Sequence, residues 1–128
     1  MSHGILIVAH APLASALRAC AAHVYAERMD SVHALDVSDS DTQDQALAKA
    51  LTLRQTMGSA PVLVLADMLG ATPCNVATRL VQGTSDVLLA GVNLPMLWRA
   101  MSYQNEAFSE MTDRAQEGAL RGVTKLAE

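Results

Sequence analysis

One histidine, one aspartate and a short glycine-containing turn are the residues of this chain whose types and spacing could do chemistry. His10 directly follows the apolar run Ile5–Ala9, and Ala11-Pro12 comes next. Asp67 directly follows a second apolar run, Val62–Ala66, and opens the segment DMLGATPCN, Asp67 to Asn75. If the two runs are neighbouring strands, His10 and Asp67 stand on the same lip of a sheet. The carboxylate can then bond one ring nitrogen of His10, fixing the tautomer and leaving the other nitrogen free. The turn adds a third part. Gly70 permits close approach of the loop backbone. Thr72 is expected to be the N-cap of a helix, with Pro73 as its first residue. The N–H groups from Gly70 through Ala71 and Thr72 into that helix have no helical partner, so they form an anion site strengthened by the helix dipole. A neutral imidazole, an orienting carboxylate and a nest of donors suit a histidine that attacks a phosphoryl group.

Each part has an ordinary structural explanation when taken singly. Histidines end strands, aspartates form turns, and Thr-Pro starts helices. Their coincidence is what favours chemistry. The other histidines, His3, His23 and His33, lack ligand spacing and read as surface or packing residues. Cys20 and His23 are three residues apart, and two residues do not make a metal site, so no metal is expected. Cys74 falls near a helix start but reads as a small packing residue. Met96, Met101 and Met111 read as core filler. No P-loop or dinucleotide glycine pattern occurs, so no nucleotide cofactor is expected.

The elements that must position these residues follow from the apolar pattern. Ile5–Ala9, Val62–Ala66 and Val87–Ala90 are continuously apolar and of strand length, as in parallel strands buried on both faces. Val32–Asp36 is mixed and reads as a strand nearer an edge. Between them lie helical spacings. Leu13, Leu17, Cys20 and Val24 form one stripe. Ala46, Ala50, Leu53 and Met57 form another after the acidic cluster Ser38–Asp41, stopped by Gly58. Val76, Ala77 and Leu80 follow Thr72-Pro73, and Ala107, Phe108, Met111 and Ala115 mark a later helix. Arg121–Leu126 is compatible with a short last strand. Strand–helix alternation with short links predicts an open α/β sheet with right-handed crossovers. In such a sheet ligands sit beyond the carboxyl ends of the strands, where His10 and Asp67 fall.

The totals narrow the function. The chain has 128 residues, enough for one domain spanning 1–128 with a sizeable core. The net charge is −4 with no basic stripe, which argues against nucleic-acid binding. No run spans a bilayer and no signal-peptide order is present, so a cytoplasmic protein is expected. Two cysteines without a CxxC pair are expected to be reduced.

ILIVAHAPLASAL, Ile5 to Leu17, resembles the active-site segment of the mannose-family IIA components of the bacterial phosphoenolpyruvate-dependent sugar phosphotransferase system. DMLGATPCN resembles their second motif, and GVNLPML, Gly91 to Leu97, a third. The order and spacing fit over the whole chain. The resemblance implies a doubly wound α/β fold with helices on both faces, four parallel strands, and a C-terminal antiparallel edge strand exchanged in a homodimer. It implies a phosphotransferase with a phosphohistidine intermediate, taking phosphate from phospho-HPr and passing it to a IIB protein. His10 matches the phosphorylated histidine, Asp67 its carboxylate partner, and Thr72 the residue beside the phosphoryl group. The nitrogen facing away from Asp67 is the expected phosphorylated atom. Two departures stand out: Ala11-Pro12 follows the histidine where the family often has glycine, and Ala71 replaces a common second glycine. No IIB domain is attached within these residues, so a separate acceptor or a regulatory role both remain open. Other readings are a phosphocarrier subunit of a dihydroxyacetone kinase and a non-catalytic binding module with a structural His10. The intact third motif favours the sugar system.

Overall fold

The computed structural model describes residues 2–127; Met1 and Glu128, the ends of the expected 1–128 domain, lie outside the described residues. Four strands, β1 (Ile5–His10), β2 (Val32–Val37), β3 (Leu63–Ala66) and β4 (Val87–Ala90), form one sheet in the order β2-β1-β3-β4. Every pairing is parallel. Five helices connect or follow them: α1 (Leu13–Tyr25), α2 (Gln43–Gln55), α3 (Thr72–Val81), α4 (Leu94–Ser102) and α5 (Phe108–Arg121). A 3₁₀ segment, Ala26–Ser31, links α1 to β2.

The alternation of side chains along the strands divides the core in two. Ile5, Ile7 and Ala9 of β1, with Leu63 and Leu65 of β3, face α1, α4 and α5. Leu6 and Val8, with Val64 and Ala66, face α2 and α3. Both faces of the central strands are therefore dry, and Ile5 to Ala9 are fully buried. This is the condition that makes a parallel strand read as an unbroken apolar run. The chain is a doubly wound α/β protein.

Several expectations are corrected. Val87–Ala90 is not buried on both faces: β4 is an edge strand and all four residues are half-buried. The stripe of α1 is shifted, since Ala14, Leu17 and Ala21 are buried while Leu13 and Val24 are exposed. Small alanines let α1 lie close on the sheet, and the larger Leu13 and Val24 are left outside. The antiparallel strand expected over Arg121–Leu126 in an exchanged dimer is not present in the single chain. Arg121 ends α5, and residues 123–127 carry no regular structure. These residues leave the sheet beyond α5 and pair with neither of its edges, β2 or β4. The helix α4 was hidden in the GVNLPML motif. Its Asn93 is the N-cap, accepting from the Met96 amide at 2.9 Å, and its Nδ2 donates to the Ala119 carbonyl of α5. The methionines expected in the core are there: Met96, Met101 and Met111 are all buried.

Candidate active site

The strand order places the functional question at one spot. The chain winds from β1 outward to β2, then returns past β1 to β3 and β4, so strand order reverses between β1 and β3. Beyond the carboxyl ends of these two strands, the helices diverge and leave a crevice. β1 ends there in His10, the one exposed residue of an otherwise buried strand. β3 ends in Ala66, and Asp67 is the next residue.

The two side chains meet. His10 Nδ1 lies 2.6 Å from Asp67 Oδ2, and the His10 amide donates to the same oxygen at 3.0 Å. A carboxylate only accepts, so Nδ1 carries the proton and Nε2 is left with its lone pair. No hydrogen bond to Nε2 exists among the described residues. The Asp67 side chain is 10% exposed and that of His10 47%, so the pair has a dry base and a wet tip. Burial pushes the Asp67 carboxyl up, but the hydrogen bonds from the His10 amide and ring, with the electrostatic attraction between ring and carboxylate, outweigh it and hold the group below the ordinary carboxylate value. The other carboxylate oxygen, Oδ1, is buried with no hydrogen-bond partner.

The turn after Asp67 leads into α3. Gly70 has φ +88°, a left-handed conformation that glycine tolerates, and the Ala71 amide closes a turn onto the Met68 carbonyl at 3.3 Å. Here the expected cap is corrected. Ala71, not Thr72, is the N-cap, no side chain caps the helix, and Thr72 is its first residue with Pro73 second. The helix's own bonding begins with Asn75 N–H to Ala71 O at 3.0 Å. The amides of Thr72 and Cys74 therefore have no intrahelical partner, Pro73 having none to offer. Thr72, which caps nothing, lines the same cleft as the histidine. A cleft of about 130 Å³ is lined by His10, Thr72, Val37, Ser38, Asp39 and Asp41.

Sequence reasoning brought together His10, Asp67 and the Gly70–Ala71–Thr72 turn, but it missed the far wall of this cleft. Ser38, Asp39 and Asp41 come from the loop after β2. They arrive because β2 pairs with β1 in a register that sets Val37 opposite His10. The signal was available in the mixed strand Val32–Asp36, but an acidic loop before a helix reads as capping. It does cap, one residue later: Thr42 and Gln45 form a reciprocal capping box on α2. Asp41 is neutralised by Lys49, whose Nζ lies 3.0 and 3.1 Å from its two oxygens. Of the remaining histidines, His3 packs against Phe108 with ring centroids 5.1 Å apart. Among the described residues no group of His, Cys, Asp or Glu could hold a metal ion.

A parallel sheet in this order, with a histidine–carboxylate pair at its switch point and a helix start opposite, defines a class of small α/β proteins built around one exposed imidazole. The family model described as the phosphotransferase-system fructose IIA component matches residues 4–116, and the chain belongs to that family. The mannose/sorbose-specific IIA subunit from Enterococcus faecalis superposes with a TM-score of 0.90 at 25% identity, over 100% of this chain and 97% of that one. An EIIA component from Streptococcus agalactiae gives 0.82 at 24% identity, over 95% of both chains. A IIA protein associated with the fucose utilization operon of Streptococcus pneumoniae gives 0.80 at 22%, over 98% of this chain and 93% of that one. These last two share the fold. Among curated proteins no sequence matches. Family membership carries a phosphotransfer role in the sugar phosphotransferase system. No helix among the described residues is long and apolar enough to cross a membrane.

Proposed function

We propose that the protein is a cytoplasmic phosphoryl carrier in which His10 Nε2 accepts a phosphoryl group from phospho-HPr and passes it to a IIB protein. The observation that carries this reading is the 2.6 Å contact of Nδ1 with Asp67, which leaves Nε2 as the nucleophile. In the accepting step the Nε2 lone pair forms a bond to phosphorus as the bond from phosphorus to the donor's histidine nitrogen breaks. The developing positive charge on the His10 ring is stabilised through Nδ1–H by the Asp67 carboxylate. The amides of Thr72 and Cys74 and the Thr72 hydroxyl hold the phosphoryl oxygens. The reverse polarity of bond making and breaking gives the group to the acceptor.

Two further features support a carrier that works by docking. Met68 and Leu69, in the turn between Asp67 and α3, are 59% and 82% exposed, and the exposed Leu13 follows His10 closely in sequence. Large apolar side chains around a reactive residue give a partner protein a dry surface to cover. The half-buried edge β4 and the exposed Val123 and Leu126 support a homodimer in which the C-terminal segment adds a strand to an open sheet edge. The test is incubation with labelled phosphoenolpyruvate, Enzyme I and HPr. The protein should acquire label only when all three are present. No label under those conditions would leave the family fold without its chemistry.

A further inference from the structure

Two helices start beside His10, and they treat their N-termini differently. α3 has no side-chain cap. α1 also lacks one of its own, because its N-cap position is held by Pro12. A proline side chain cannot accept the orphan amides of a first turn. The missing acceptor comes from another strand. Asp36, opposite Ala9 in the β1–β2 register, accepts the Ser15 amide at 3.0 Å through Oδ1 and the Ser15 hydroxyl at 2.6 Å through Oδ2. One residue on, the Val37 carbonyl accepts the Ala11 amide at 3.0 Å. The turn that follows His10 is thus tied to β2 at both of its ends, Ala11 and Ser15, while the His10 amide is tied to Asp67.

We propose that Asp36 and Ser15 are positioning residues for the phosphoryl transfer assigned above, a clamp that fixes the backbone after His10 and so holds its ring on Asp67. The clamp has an electrostatic consequence as well. The Asp36 carboxylate occupies the anion position at the start of α1. The start of α3, on the Thr72 side of the ring, has no such carboxylate and keeps the amides of Thr72 and Cys74 for a phosphoryl group. Neither Ser15 nor Asp36 touches the reacting atoms; Ser15 is exposed and Asp36 half-buried, and the pair acts on the ring through the backbone that follows it.

The inference rests on the proposed function, and its test separates the two. Ser15→Ala and Asp36→Asn are compared with Ser15→Thr, which keeps the hydroxyl. The first readout, independent of any donor, is the exchange rate of the His10 Nδ1–H proton by NMR. It should rise in Ser15→Ala and Asp36→Asn and return to the wild-type rate in Ser15→Thr, with melting temperatures lowered by no more than the few degrees of a lost helix cap. The second is phosphorylation by phospho-HPr: Ser15→Ala should lower kcat about tenfold while KM stays nearly constant, since the loss is of orientation rather than docking. A wild-type rate of Nδ1–H exchange in both Ser15→Ala and Asp36→Asn would overturn the clamp. So would a transfer rate that falls only in step with the folded fraction. A wild-type protein that takes up no phosphate would overturn the carrier reading, and the exchange measurement would still decide the clamp.

Discussion

His10 is distinguished from the chain's other three histidines by what surrounds it. Five buried residues lead into it, a largely buried carboxylate holds one nitrogen, and the other nitrogen has no hydrogen bond among the described residues. The Asp67 carboxylate therefore has two effects that can be separated. Its bonds to His10 contribute stability, and because its pKa is held below the ordinary value, that contribution is complete above the ordinary carboxylate range and lost as pH falls through the lowered folded value. The stability difference between wild type and Asp67→Ala should accordingly shrink as pH falls below about 5. Urea unfolding at a series of pH values reads it, and a difference that grew toward acid would have the wrong sign. Its second effect is on chemistry: Asp67→Ala should still accept phosphate, more slowly, because the tautomer is no longer fixed. Thr72 behaves differently. Since it caps nothing, Thr72→Ala should change stability by less than the roughly 1 kcal/mol of a lost N-cap, yet slow transfer by removing a hydroxyl from the cleft. A loss of a full cap's stability with normal transfer kinetics would reverse that assignment.

At the scale of elements, the positions that aim the site are held by close contacts elsewhere. α5 packs on α4 because Gly118 and Gly122 bring no side chain to the crossing. A Cβ on Gly118 would lie 2.8 Å from the Arg99 Cβ and 3.0 Å from the Pro95 carbonyl. Gly118→Ala should therefore cost about 1–3 kcal/mol by overpacking, measured by denaturant midpoint; an unchanged midpoint would mean that the helices slide freely. At the opposite end of the sheet from His10, Arg54 and Asp86 form a nearly buried pair, with Nε–Oδ2 at 2.8 Å, that also takes the Val62 amide into β3. This tie is why β3 starts at Leu63 rather than at Val62, where the apolar run begins. Such features explain what could and could not be read from sequence. The central strands were legible because burial on both faces leaves no choice but Val, Ile, Leu and Ala. The His10–Asp67 pair was legible because both residues end such strands. β4 was misread because its apolar residues look the same whether a neighbour covers them or not. The capping of α1 by Asp36 was not legible at all, since it joins residues 21 apart through strand register rather than local spacing.

For the whole molecule, the open question in the fold is its edge. β4 is apolar and half-buried, and beyond α5 the residues Val123 and Leu126 are 81% and 93% exposed. The homodimer proposed above puts the C-terminal segment on this edge, so removing the residues after Gly122 should leave the four-stranded sheet and α5 intact and yield a monomer in sedimentation. A truncated protein with the same dimer mass as the full chain would place the interface elsewhere. The central claim, however, concerns what the sheet, its switch point and the start of α3 do together. It is tested most directly by following labelled phosphate from phosphoenolpyruvate through Enzyme I and HPr onto the full chain, and then measuring the stability of the adduct. The wild-type protein, Ser15→Thr and variants of His3, His23 or His33 should carry an acid-labile, base-stable label, and His10→Ala, folded by its circular dichroism, should carry none. Full labelling of His10→Ala, or an acid-stable, base-labile adduct of the kind serine forms, would contradict the account.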